Sequence, residues 1–310
     1  MDVILEKLRR SWLLFERSVQ VIRQHPKLLL FPIVTALLTS AIALFFVAPV
    51  ALMALAPQWI AGSPIQAIAD RVGFLRSVSG GNFHFVIQPL GSAVLAGLYL
   101  LDMFLASMAS VAFYSQILCA LGGQPVSIQG GLAAACSRWK AVLFWSLLAG
   151  TVGLVIRAIE KRFSLLGRLV GGFIGLAWSV AAVFAIPILV REPSLRNPFA
   201  VLSKSAATIK RTWGEMLTGY AGMQGMNLLF AWLSVVFWVG ASLAAILFRN
   251  AWLLVPAGLW WVLCLVVYSY LASTASQVYL CALYLYASEG VVPGPYDATM
   301  MNLAWKMKKK

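Results

Sequence analysis

Hydrophobic and polar positions alternate on two length scales along this chain. On the longer scale, apolar stretches run well past what a soluble helix needs: the 42 residues between Lys27 and Asp70 hold no Asp, Glu, Lys or Arg, and later uncharged runs extend over 16 to 39 residues. A bilayer hydrocarbon core of roughly 30 Å takes about 20 apolar residues per helix. The runs opening at Leu28, Pro89, Ala141, Leu169, Met216 and Ala251 therefore predict six membrane spans. On the shorter scale, the segments ahead of spans one, three and five repeat apolar residues at steps of three and four, the period of a one-sided helix. The expected fold is all-α: a polytopic transmembrane bundle of six spans, one integral membrane domain over residues 1–310, with amphipathic interfacial helices before spans one, three and five.

The first of these helices covers residues 1–26. Ile4, Leu8, Trp12, Phe15, Val19 and Ile22 share one side, Lys7, Arg10 and Arg17 turn elsewhere, and Pro26 ends it. Such a helix lies in the headgroup boundary or against the bundle. Within 122–140, Ser127 is placed to cap a short helix carrying Ile128, Leu132 and Trp139, with the sequence Ser137-Arg138-Trp139-Lys140 at its end. Within 191–215, Asn197-Pro198 has the chemistry of a helix start, followed by Phe199, Leu202, Ile209 and Trp213. Each basic segment leads into a hairpin of two spans, which reads as three similarly oriented units about an axis along the membrane normal. The connection 57–88 interrupts the pattern. Ile65, Ile68, Val72 and Leu75 predict a short helix there, and Ser79-Gly80-Gly81-Asn82 a turn, so this segment is expected to form an outer cap.

Charge gives the orientation. Only 11% of residues are charged and 61% are hydrophobic, far from the roughly 25% charge of soluble domains. The net charge of +14 would point to nucleic acid in a soluble protein. Sorted by loop, however, seventeen of the 24 Lys and Arg fall on the side of the two termini and seven on the other. The positive-inside rule then puts both termini in the cytoplasm. The expected partners are membrane lipids, through anionic headgroups near Arg10, Arg17, Lys204, Lys210 and Arg211, and a second copy or another membrane subunit; nucleic acid is not expected.

Inside the membrane, two patterns stand out. Gly167, Gly171 and Gly175 stand four apart at the start of span four, and Gly219, Gly222 and Gly225 recur in span five; both let a neighbouring backbone approach closely. The second pattern is polar. Asp102 lies about 13 residues, or roughly 20 Å, inside a helix beginning at Pro89. A carboxylate there costs at least about 2.5–3.5 kcal/mol and needs the bundle interior, a wet cavity or a partner. Tyr99, Asp102, Ser107, Ser110 and Tyr114 fall within one arc of span two, and Ser269, Tyr270, Ser273, Ser276, Gln277 and Tyr284 within one arc of span six. Facing each other, these stripes would line a hydrated path. Counted from the ends of their spans, Arg157 and Asp102 lie at similar depths and are candidates to pair; the alternatives are an Arg157 that reaches the outer headgroups and a protonated Asp102 bonded to a tyrosine.

Chemical machinery is not legible. HExxH, GxSxG, Walker A and GxGxxG are missing from the sequence, and one intramembrane carboxylate does not make an aspartyl dyad. Cys119, Cys136, Cys264 and Cys281 have no metal-ligand spacing, and His25 and His84 read as interfacial residues. We therefore expect no catalytic residues, no cofactor, no metal site and no enzyme activity.

Several short motifs, in order, are similar to those of a known group: Ser11-Trp12 through Phe15, Val21 through Pro32 with His25-Pro26, Trp178-Ser179 ahead of Pro187, Lys204-Ser205 leading to Thr212-Trp213-Gly214-Glu215, and Tyr286 through Pro293 with Glu289-Gly290, followed by Asp297. The chain resembles the prokaryotic membrane family catalogued as domain of unknown function 6159. That resemblance implies six spans in a bacterial or archaeal cytoplasmic membrane and brings no established activity. Two readings of function follow from the residues. One is a transport or permeation protein with a polar pathway at Asp102; the other is a noncatalytic lipid-binding or accessory membrane subunit.

Overall fold

The computed structural model describes residues 2–55, 62, 64, 67, 71, 74–79, 82–87, 89–162, 164–294 and 296; side-chain surroundings at 2–12, 43, 45–55, 74–79, 82–87, 164–166, 168 and 211–229 fall outside that description. The fold is helical. Helix α1 (Asp2–Gln24) stops before Pro26, and a short 3₁₀ turn over Pro26–Leu29 leads into α2 (Leu30–Leu55). Leu13–Gln24 and Pro26–Ile42 meet at 101°, the bend expected where proline lacks an N–H and restricts the residue before it. Then follow α3 (Pro89–Leu121), α4 (Ile128–Ser137), α5 (Trp139–Arg162), α6 (Ser164–Ala181), α7 (Ala185–Arg191), α8 (Pro198–Leu247) and α9 (Leu254–Glu289).

Among the described residues, five stretches are long and apolar enough to cross a membrane: Pro89–Leu121, Trp139–Arg162, Leu169–Arg191, Phe230–Leu247 and Ala251–Glu289; the bent pair at α1 and α2 passes the same test together. The protein is a multi-span membrane protein. Between α6 and α7 the helix breaks at 182–184, five to three residues before the buried Pro187, because a proline cannot donate to, and crowds, the carbonyl four residues earlier.

The expected caps form. The Ser127 hydroxyl accepts from Gly130 N, and Asn197 Oδ1 accepts from Phe199 N at 3.0 Å. Two expectations are corrected. Leu75 lies in a strand, β1 (Phe74–Ser79), paired antiparallel with β2 (Asn82–Ile87) in a register that sets Ser79 opposite Asn82. In the sequence, two glycines between β-branched and aromatic runs favour a hairpin over a helix; Gly80 and Gly81 of the expected turn, and Ile65, Ile68 and Val72 of the expected helix, lie outside the described residues. The second correction concerns 191–215. Its helical part is not a separate element before span five, since α8 is one unbroken 50-residue helix, about 75 Å long, more than twice the bilayer core. Nothing in Pro198–Leu247 after its first residue is a proline, so no break is encoded.

Burial divides the long helices at a sharp level. In α3 nearly every residue from Val111 to Leu121 is buried, while from Ser92 to Ser110 only Ser107 is; in α9 burial is dense from Thr274 to Tyr286 and zero from Leu254 to Ser273. The buried parts lie together with Leu14 to Ile22 of α1, Leu28, Phe31, Ala135, Trp145, Phe184 to Val190, Val201 and Ile209 in one core. This packed layer forms at the end of the bundle that carries Arg138, Arg191 and Lys204, called here the basic end. The open stretches, 22 residues in α3 and 20 in α9, measure about 33 Å and 30 Å, the thickness of a hydrocarbon core.

Candidate functional site

Asp102 occupies the open stretch of α3. Its Oδ1 is shut off from solvent and has no hydrogen-bond partner. Along the same stretch α5 approaches α3 closely: a Cβ on Gly150 would stand 2.7 Å from Leu100 Cδ2, and one on Gly153 would stand 2.8 Å from the Tyr99 hydroxyl. These two glycines set the antiparallel register of α3 and α5. Gly150 is level with Leu100 and Met103, Gly153 with Tyr99, and Arg157 comes one turn beyond. Its guanidinium accordingly lies over the Tyr99 ring, 5.9 Å from the centroid, in weak cation–π geometry. The candidate pair of Asp102 with Arg157 is not made. Depths counted from helix ends missed the offset that the glycine contact imposes.

The two polar stripes are largely satisfied within their own helices. Ser107 and Ser110 donate to the carbonyls of Met103 and Ala106 at 2.7 and 2.8 Å. In α9, Ser269, Thr274 and Ser276 donate to Val266, Tyr270 and Ala272, Gln277 Nε2 reaches Ser273 Oγ at 3.5 Å, and the Tyr270 hydroxyl donates to Leu29 O. Such back-bonding is what a medium without water demands of hydroxyls. Tyr114 is buried in the packed layer, edge-on to Phe113, about 18 Å along the helix from Asp102. Among the described residues, Asp102 is the carboxylate with a buried, unpartnered oxygen.

The glycine rows divide. Gly171 receives the Glu160 side chain, whose Cγ would be 2.5 Å from an added Cβ, and so joins α5 to α6; Gly175 faces open space, and Gly167 is buried. Gly219, Gly222 and Gly225 lie on α8 where surroundings are not described. Of the candidate headgroup residues, Arg17 donates to Gln20 Oε1 at 3.0 Å, Lys204 pairs with Glu192 at 2.5 Å, and Lys210 is exposed; the side chains of Arg10 and Arg211 lie outside the description.

The short motifs converge on the packed layer instead. Phe31 stacks on Phe113 at 5.7 Å, and Trp178 stacks on Trp145 at 6.0 Å. Ser205, fully buried, accepts from the Phe184 N–H that the helix break leaves free, at 3.1 Å. Glu289 takes Arg191 in a two-point ion pair, Nε to Oε1 and Nη2 to Oε2 each 3.0 Å, and Gly290 ends α9 with φ of 69°, a left-handed value that suits glycine. Tyr296 folds back so that its hydroxyl meets Ser18 Oγ at 2.9 Å; burial pushes its phenol above the ordinary range.

Sequence reasoning missed a basic group at the α4–α5 junction. Arg138 donates through Nη1 to Leu189 O, burial pulling its guanidinium below the usual value without discharging it. Lys140 lies over the Trp139 ring at 5.6 Å, and Arg196 arrives from the connection after α7, enclosing a cavity with them. The only sequence signal was the pair of cations flanking Trp139.

A helical, multi-span architecture with motif residues gathered into one buried layer defines a class of integral membrane protein. Within it, the chain belongs to a family of unknown function (DUF6159), whose model matches residues 89–294. No curated protein and no solved structure matches.

Proposed function

We propose that this is a noncatalytic membrane protein that acts as an anchoring or accessory subunit, holding anionic lipid at its basic end and offering its open spans to lipid or to another membrane protein. The observation that carries the reading is the burial boundary at Val111 and Thr274: the half of the bundle long enough to fill a bilayer encloses almost nothing, whereas the basic end is packed like a soluble domain. A path through one copy needs walls. On this reading the packed layer sits at the cytosolic face with both termini, in keeping with the excess of Lys and Arg there, and the spans number six with α1 and α2 counted as one bent unit. Purification in mild detergent tests it: native mass spectrometry should find phosphatidylglycerol retained over phosphatidylcholine, and equal retention would refute the headgroup role.

The unpartnered Asp102 oxygen favours a second reading, a proton or cation transporter assembled from more than one copy. Proteoliposomes carrying the wild type and Asp102→Asn compare proton and cation flux directly; flux that Asp102→Asn abolishes would favour transport over anchoring.

A further inference from the structure

The cavity at the α4–α5 junction is the most chemically specific feature outside the packed core. It has a volume of about 260 Å³ and is lined by Ser137, Arg138, Trp139, Lys140 and Arg196, below the roughly 300–1,000 Å³ of drug-sized pockets and on the scale of a headgroup. Three cations line it, and none of the described lining residues is acidic. Glu192, the nearest carboxylate in the sequence of that connection, is engaged by Lys204, and among the described residues neither Lys140 nor Arg196 has a carboxylate in ion-pair range. Arg138 is fixed by its bond to Leu189 O, so that guanidinium is already oriented and loses little freedom on meeting a ligand.

Depth identifies the source of the anion. Trp139 is the first residue of a membrane-crossing helix and is about half exposed, the position where tryptophan marks the headgroup level. Ile128 and Leu132 of the preceding short helix are also exposed, an apolar side that suits the same boundary. The α5 start adds a smaller contribution: an arginine precedes it, a side chain with no acceptor for first-turn N–H groups, and a helix of this length favours negative charge at that end.

Resting on the headgroup role proposed above, we infer that Arg138, Lys140 and Arg196 form a binding site for the phosphate of an anionic phospholipid. Phosphate matches the arginine forks by two-point hydrogen bonding, Lys140 supplies a point charge, and Trp139 packs against the glycerol and upper acyl chain.

The full chain in detergent micelles, titrated with short-chain phosphatidylglycerol, short-chain phosphatidylcholine or inorganic phosphate while thermal unfolding is followed, tests this by linkage. Phosphatidylglycerol should raise the melting temperature and phosphatidylcholine should not. The Lys140→Gln, Arg196→Gln double variant should melt normally in phosphatidylcholine yet bind phosphatidylglycerol roughly tenfold or more weakly, with Lys140→Arg retaining affinity. Inorganic phosphate protecting as well as lipid would overturn the lipid assignment. A double variant that titrates like wild type, while Arg17→Gln, Lys210→Gln loses the response, would overturn the cavity and leave the headgroup role standing. No response in any chain would remove both.

Discussion

Helix α9 is two materials in one helix. From Thr274 to Tyr286 it is buried on most sides, with Val278, Cys281 and Ala282 at zero exposure, whereas Leu259 and Leu263, higher in the same helix, are 70% and 54% exposed. The same change occurs in α3 at Val111. Composition does not produce it, since both halves are apolar; what differs is the presence of neighbours. At the basic end, α1, α4, α7 and the start of α8 pack around α3 and α9. Toward the far end α8 and α9 meet through aromatic contacts such as Phe230 on Tyr268 and Trp238 on Trp261, leaving most of their surface open. Lipid tails satisfy apolar side chains as well as protein does, so an open span is stable in a bilayer and the same surface in water would not be.

The sharpest way to break this comparison is a matched deletion. Leu283→Ala in the packed layer should destabilise by about 2–5 kcal/mol through the cavity it leaves, while Leu263→Ala should change stability by less than about 0.5 kcal/mol; thermal unfolding in one detergent compares them. Glycines give a difference of sign. A Cβ at Gly131 would stand 2.8 Å from the Phe31 ring and 3.0 Å from Ala112 O, while one at Gly175 meets nothing. Gly131→Ala should cost about 1–3 kcal/mol, and Gly175→Ala should gain up to about 1 kcal/mol of helix propensity, both read in the same unfolding assay.

Hydroxyls sharpen the point further. Ser205→Ala strands the buried Phe184 N–H and should cost about 1–2 kcal/mol, while Ser269→Ala, whose hydroxyl bonds only its own helix, should be near neutral. Tyr296 adds a pH dependence. Its phenol is raised by burial, so the stabilisation is complete below the ordinary tyrosine value of about 10 and fades as pH rises through the folded value. Relative to wild type, Tyr296→Phe should lose less stability between pH 9 and 11, by about 1 kcal/mol. The exposed Arg191–Glu289 pair is the smallest effect: Glu289→Gln should cost under about 1 kcal/mol, and less in high salt.

How far this was readable from sequence follows the same division. Long uncharged runs encode span position directly, because the bilayer penalises each charge regardless of neighbours. Caps at Ser127 and Asn197 and the break at Pro26 were equally local. The packed layer was not legible: its serines, tyrosines and motif residues acquire roles only through partners distant in sequence, as Ser18 does from Tyr296 and Phe184 from Ser205. Asp102 was visible as an anomaly, yet whether Arg157 would meet it was not legible, because the offset of α3 against α5 is set by Gly150 and Gly153, two residues with no chemistry of their own. The strand at Leu75 was hidden by apolar spacing that fits either period over a few residues.

The central claim is that the spans open to lipid where the basic end closes on itself. Spin labels placed one at a time from Leu254 to Tyr286 in nanodiscs report it through their collision rate with dissolved oxygen. High oxygen accessibility around most of the helix from 254 to 273, falling abruptly at 274, is the predicted profile. Low accessibility at 259, 263 and 267 would show enclosed spans and contradict the account.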